Sequence, residues 1–242
     1  MHNTLNIPKI IGHRGAKGYA PENTFASFRE AKARGATWVE FDVQNTKDGT
    51  LVVIHDDTLE RTSNGNGIVA NTPWHLIEKL DAGSWFDPTF CSERIPTFQD
   101  TILLLSELQL GANVEIKPYQ NEDTKLAIAV AQVIKEMWPR ALPSPLVSSF
   151  SLSSLLAVKE TAPELILGVL FENLPTDWQK IAKKINAKTI NIDHQVVNAE
   201  FMQLMQQENY PILTYTVNEK KRAEELFNLG VSAIFTDFPW KL

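Results

Sequence analysis

Glu40, Asp42 and Glu115 interrupt otherwise apolar runs, Trp38-Val39-Glu40-Phe41-Asp42-Val43 and Asn113-Val114-Glu115-Ile116-Lys117. A charge inside an apolar strand is costly unless it is paired or bound to a metal. Three carboxylates offer the hard oxygen ligands of Mg²⁺ or Ca²⁺, with coordination positions left for substrate and water. Zinc fits less well, because no cysteine lies nearby and the histidines are better used otherwise. His13 and His55 are candidates for a general acid and base pair, their titrations coupled to each other and to the metal. Arg14 and Lys117 would bring positive charge and hydrogen-bond donors for a phosphate. The plainer alternative for the Glu40-x-Asp42 pair is a solvated face carrying ordinary charges.

The elements that must position these groups begin with the stretch Trp38 to Asp57, which reads as two strands folded on a tight turn. With Asp48-Gly49 as a two-residue type I′ loop, Lys47 pairs with Thr50 and Asp42 stands opposite His55. Opposed residues share a face, and Glu40 joins them two residues back.

Along the whole chain, strand-like runs at 9–13, 38–44, 112–117, 145–149, 165–171, 188–193, 211–217 and 232–236 alternate with amphipathic helical runs at 24–34, 97–109, 124–138, 152–161, 177–185, 198–208 and 219–229. Eight strands with helices between them predict an α/β fold, a (β/α)8 TIM barrel in one domain; an open doubly wound sheet is the alternative. The 51–55 run is then the returning arm of a hairpin above strand two. Residues 56–96, turn-rich and carrying Trp74, Trp85 and Phe86, read as an insertion that caps or walls the pocket. Active sites of such barrels lie at the C-terminal strand ends, where His13, Arg14, Glu40, Asp42, Glu115, Lys117, Ser148, Ser149, Asp193, His194, Tyr215 and Asp237 also fall.

The 242 residues, 43% of them hydrophobic, suffice for a sizeable core, and a net charge of −6 without a long basic run argues against nucleic acid as a partner. Cys91 is the single cysteine, which excludes an intrachain disulfide. No apolar h-region opens the sequence and no run approaches membrane-spanning length, so a cytoplasmic location without stable membrane insertion is expected. Oligomeric state is left open by the sequence.

His13-Arg14-Gly15, Pro21-Glu22-Asn23-Thr24, Glu40-x-Asp42, Asp48-Gly49, His55-Asp56, Asp81-Ala82-Gly83-Ser84-Trp85-Phe86 and Glu115-x-Lys117 together resemble the glycerophosphodiester phosphodiesterase family, over Ile11 to Pro239. The resemblance implies a phosphodiesterase barrel with an inserted subdomain, one divalent cation on Glu40, Asp42 and Glu115, His13 and His55 as catalytic groups, and a glycerophosphodiester as substrate. Tyr215 departs from the family, which usually carries tryptophan in its Trp-Thr-Val-Asn run. Arg14, Lys117, Tyr215 and Trp85 are the candidate substrate-binding residues, although Trp85 with Phe86 would equally serve to pack the insertion onto the barrel.

Other polar residues have structural readings. His2 lies near a frayed end, His75 among packing residues of the insertion, and His194 at a strand end where a structural hydrogen bond suits it. Asn23 reads as a helix N-cap and Asp237 as a hydrogen-bonding support for the site. Two rival functions stay open: a phospholipase-like diesterase acting on intact lipids, and a silent phosphate-binding module. The first would call for a basic amphipathic helix or apolar anchor, and the second has no need of an acid and base pair.

Overall fold

Apolar runs of the length and composition described above become nine strands and eight helices in the computed structural model, which describes residues 6–120 and 123–239. His2 lies outside the described residues. In chain order the elements are β1 (Ile10–Gly12), α1 (Phe25–Ala33), β2 (Trp38–Asn45), β3 (Leu51–Val53), α2 (Trp74–Ile77), α3 (Phe98–Leu108), β4 (Gly111–Ile116), α4 (Asp123–Met137), β5 (Leu146–Ser149), α5 (Leu152–Thr161), β6 (Ile166–Phe171), α6 (Trp178–Ile185), β7 (Thr189–Asp193), α7 (Ala199–Gln207), β8 (Ile212–Tyr215), α8 (Lys220–Leu229) and β9 (Ala233–Thr236). All strands but β3 are parallel, in the order β1-β2-β4-β5-β6-β7-β8-β9. β1 closes the circle, pairing with β9 on one side and, at Gly12↔Val39, with β2 on the other. The fold is a TIM barrel, and the open-sheet alternative is excluded.

Strand parity sorts the two faces. Phe41, Val43, Val114, Val147 and Ile190 point outward and pack beneath the helices, while Ile11, Trp38, Leu146, Leu213 and Phe235 form a separate cluster inside the barrel. Gly111 is required beside that plug, since a Cβ there would come within 2.5 Å of the Trp38 indole. Above Trp38 the same face of β2 carries Glu40, Asp42 and Gln44, all buried, so the interior changes from apolar to polar toward the C-terminal strand ends.

The β2–β3 hairpin differs from expectation by one residue. Its pairs are Val43↔Val53, Gln44↔Val52 and Asn45↔Leu51, so Asp42 stands opposite Ile54, whose N–H donates to the Asp42 carbonyl at 3.1 Å. The loop has three residues, Lys47-Asp48-Gly49, closed by Thr46 N–H to Thr50 C=O at 2.9 Å, with Gly49 left-handed at φ 85°. Asp48 selects this form: its carboxylate accepts from the Thr46 hydroxyl and, across the fold, from the Trp74 N–H at 3.0 Å. His55 therefore lies two residues beyond β3, and it reaches the barrel mouth by another route. The Gln44 side-chain amide donates to the carbonyls of Ile54, His55 and Asp56 at 3.1, 2.9 and 2.8 Å and folds that turn over the strand ends.

Between His55 and α3 the chain forms a small apolar cluster of its own, built on Leu59, Val69, Ile77, Ala82 and Ile95 against Val52 and Ile54. The expected N-cap also moves by one position. Thr24, not Asn23, caps α1 by accepting from Ser27 N–H, because the Asn23 side chain is engaged with Asp42.

Candidate active site

The three carboxylates converge as their strands dictate. Asp42 and Glu115 are direct partners in the β2–β4 ladder, Glu40 lies one layer below beside Asn113, and all three offer oxygens within 4.8 Å of one another. Arg14 reaches them from the β1–α1 loop, its backbone N–H donating to Glu40 Oε2 at 2.8 Å and its side-chain Nε 3.4 Å from Asp42 Oδ2. The loop turns sharply enough because Arg14 and Gly15 both take positive φ, and a Cβ on Gly15 would meet the Ser27 hydroxyl at 2.4 Å. Arg14 also donates through Nη1 to Glu22 at 2.6 Å.

Each histidine has its Nδ1 against a carboxylate, His13 on Asp237 and His55 on Asp56, both at 2.6 Å. That partner holds the proton on Nδ1 and leaves Nε2 as the basic atom. Nε2 of His55 lies 3.1 Å from Lys117 Nζ, and Nε2 of His13 lies 3.9 Å from Glu40. Burial lowers both imidazole pKa values despite the neighbouring carboxylates. A cavity of about 330 Å³ joins His13, Arg14, Glu40, Asp42, His55, Glu115 and Lys117 on one side to Phe150, Leu170, Tyr215 and Phe235 on the other.

Electrostatics favour a cation at the carboxylates. Burial, and then the charges of Asp42 and Glu115, raise Glu40 well above the usual carboxylate range, and burial with Asp42 pushes Glu115 up to about 7. Asp42 is pulled below its ordinary value, since Arg14, His55 and Lys117 outweigh its burial. Glu40 Oε1 and Asn113 Oδ1 are buried without a hydrogen-bond partner among the described residues. Crowded acidic oxygens with unused lone pairs fit a hard metal ion, and these three residues could hold one.

Most residues singled out in the sequence meet here. Tyr215 lines the cavity with its hydroxyl donating to the Phe171 carbonyl at 2.8 Å and its ring edge-on to Phe150. Trp85 does not line it: it packs on Phe86, and its indole N–H donates to Ala82 C=O. The Asp81-to-Phe86 run is a turn of the insertion, in which Asp81 accepts from Gly83 and Ser84 N–H and a Cβ on Gly83 would strike the Phe90 carbonyl. Among the described residues, none that lines this cavity falls in 56–96; the segment meets the site through Asp56 and Arg61, behind His55 and Glu22. Asp237 supports His13 as expected and is itself held by Asn218 at 2.9 Å. His75 is exposed, and His194 contacts Arg222.

Sequence reasoning missed Asn23, whose amide donates to Asp42 at 2.9 Å, the Gln44 clamp, and the chain Glu22–Arg61–Asp56 behind Arg14 and His55. Asp56 and Glu22 stand in the His55-Asp56 and Pro21-Glu22-Asn23-Thr24 motifs, which was a usable signal. Arg61 offers none locally.

Comparison with known proteins agrees with this geometry. The family model described as "Glycerophosphoryl diester phosphodiesterase family" matches residues 13–241. A glycerophosphodiester phosphodiesterase of Caldanaerobacter subterraneus subsp. tengcongensis is 36% identical, covering 95% of this chain and 94% of that protein. One from Bacillus subtilis is 32% identical, covering 98% and 86%. A solved phosphodiesterase of Oleispira antarctica, in complex with the product sn-glycerol-3-phosphate, is 35% identical, with a TM-score of 0.94 over 97% of this chain and 95% of that one. No described helix is long and apolar enough to cross a membrane. With the barrel, the acidic cluster and matches spanning nearly all of its length, the chain is an enzyme of the glycerophosphoryl diester phosphodiesterase family.

Proposed function

We propose that this enzyme hydrolyses glycerophosphodiesters to an alcohol and sn-glycerol 3-phosphate, with His13 and His55 as proton carriers and one divalent cation, Mg²⁺ or Ca²⁺, on Glu40, Asp42 and Glu115. The observation that carries this reading is the meeting, in one cavity, of three carboxylates, two carboxylate-oriented imidazoles and two cations. The Oleispira relative binds sn-glycerol-3-phosphate, which is the product this chemistry would release. When bound, the cation supplies Lewis-acid charge for the phosphate oxygens and the attacking hydroxyl.

Arg14 and Lys117, both lining the cavity, hold the phosphate, Arg14 as a guanidinium cation and Lys117 as a point charge. A glycerophosphodiester carries a hydroxyl beside its phosphate-bearing carbon, so internal attack gains from proximity and yields a five-membered cyclic phosphate. One imidazole Nε2 takes the proton of that hydroxyl while the other gives a proton to the departing alcohol; water then opens the ring with the two roles exchanged. Tyr215, Phe150 and Leu170 provide an apolar wall for the carbon skeleton.

The test is turnover of glycerophosphocholine and glycerophosphoethanolamine with a series of divalent metals, read as sn-glycerol 3-phosphate released. Release under at least one metal is expected. No release under any metal would refute the reading.

A further inference from the structure

Arg61 comes from the segment after β3 and does not line the cavity, yet its guanidinium is the hub of the site's outer wall. It donates to both oxygens of Asp56, through Nε at 2.5 Å and Nη2 at 2.9 Å, and to both oxygens of Glu22, through Nη1 at 2.9 Å and Nη2 at 2.8 Å. Each carboxylate has a second task. Asp56 Oδ1 is the acceptor for His55 Nδ1 at 2.6 Å, and Glu22 Oε1 accepts from Arg14 Nη1 at 2.6 Å. We propose that Arg61 is a positioning residue of the reaction: one planar cation fixes Asp56 behind His55 and Glu22 behind Arg14, so that the inserted segment aims a proton carrier and a phosphate-binding group together. This rests on the phosphodiesterase reading above.

The two carboxylates differ in what remains without Arg61. Glu22 keeps Arg14 and, at 3.8 Å, Lys17. Asp56 keeps only His55 among the described residues, and its side chain is a quarter exposed. Without the clamp Asp56 is free to turn to water, and His55 loses the fixed acceptor that keeps its proton on Nδ1 and its lone pair on Nε2 in the cavity. The effect on His55 is therefore the larger. A lysine at position 61 keeps the charge but cannot make four in-plane hydrogen bonds to two carboxylates.

The experiment is a double-mutant cycle between Arg61→Lys and His55→Ala in kcat for glycerophosphocholine, with the preferred metal and melting curves to verify folding. Arg61→Lys alone is expected to lower kcat about 10- to 100-fold, the range for partners that orient site side chains. In the His55→Ala background the same substitution should cost less than about threefold, because its main route to the chemistry is already gone and Glu22 on the second route keeps Arg14 and Lys17. A merely structural role predicts equal losses in both backgrounds. Equal losses, or wild-type kcat in Arg61→Lys, overturn the proposal. If Arg61→Lys fails to fold, Arg61→Gln enters the same cycle. The downfield Nδ1 proton of His55, identified by its loss in His55→Ala, should shift or broaden in either Arg61 variant, and an unchanged resonance also contradicts the proposal. A wild-type enzyme inactive on every glycerophosphodiester would instead fail at the earlier reading and take this inference with it.

Discussion

Asp42 and Glu115 face each other across the β2–β4 ladder, two carboxylates far apart in sequence brought side by side inside the barrel. Each is held there by a strand whose outer face is buried under helices, so neither can retreat to water. A cation held between them would remove their mutual repulsion. Mg²⁺ or Ca²⁺ should therefore raise the Tm of chelated protein, by about 2.7 kcal/mol of stability at a hundredfold excess over Kd. Glu115→Gln should raise the Tm of the chelated protein and abolish the response to cation, both read by calorimetric melting.

His13→Ala and His55→Ala should each lower kcat by about 10²- to 10⁴-fold while the circular dichroism spectrum is retained, since in the proposed mechanism each removes a proton carrier. Asp237→Asn should cost about 10- to 100-fold, because it keeps a hydrogen bond to His13 but weakens the preference for the Nδ1 proton. Steady-state kinetics on the three variants test the order.

Glu22 predicts an acid-stability limb. Burial alone would raise its pKa, but Arg61 and Arg14 outweigh burial and hold it at about 2, against 4.5 for an unperturbed group. A depressed folded-state value contributes stability that is fully present above pH 4.5 and is lost as pH falls toward 2. The shift corresponds to about 3 kcal/mol. Urea denaturation of wild type and Glu22→Gln across this range should show the stability gap closing as pH falls; a constant gap would contradict the assignment.

Internal attack makes a separate prediction. An analogue of glycerophosphocholine lacking the glycerol 2-hydroxyl should bind and not turn over, as inhibition kinetics and product analysis would show. Hydrolysis of the analogue at the full rate would rule out the cyclic intermediate.

Much of this was legible in the sequence because strand parity is a local rule. Glu40, Asp42 and Glu115 reveal a shared interior face through the apolar residues between them, and β-α alternation places that face inside a barrel. What escaped depended on contacts between distant segments. The hairpin register turned on Asp48 accepting from Trp74 N–H, which a local turn preference cannot include. Asn23 and Thr24 are both competent N-caps, and the choice between them was made by Asp42 taking the Asn23 amide. For Trp85 the sequence left pocket lining and packing of the insertion equally open, and the contacts that separate them are a turn stabilised by Asp81 and packed against Phe90. Arg61 is an unremarkable basic residue in a turn-rich stretch until the fold brings Glu22 and Asp56 to its two edges.

The most direct test of the central claim couples metal occupancy to turnover. Chelated wild-type enzyme is titrated with Mg²⁺ or Ca²⁺ in a calorimeter, and sn-glycerol 3-phosphate release is measured at each point, with Glu115→Ala treated identically. One binding site per chain is expected in the wild type, with activity rising in proportion to its filling, and loss of both in the variant. Full turnover by enzyme shown to be metal-free, or unchanged binding in Glu115→Ala, would contradict the claim.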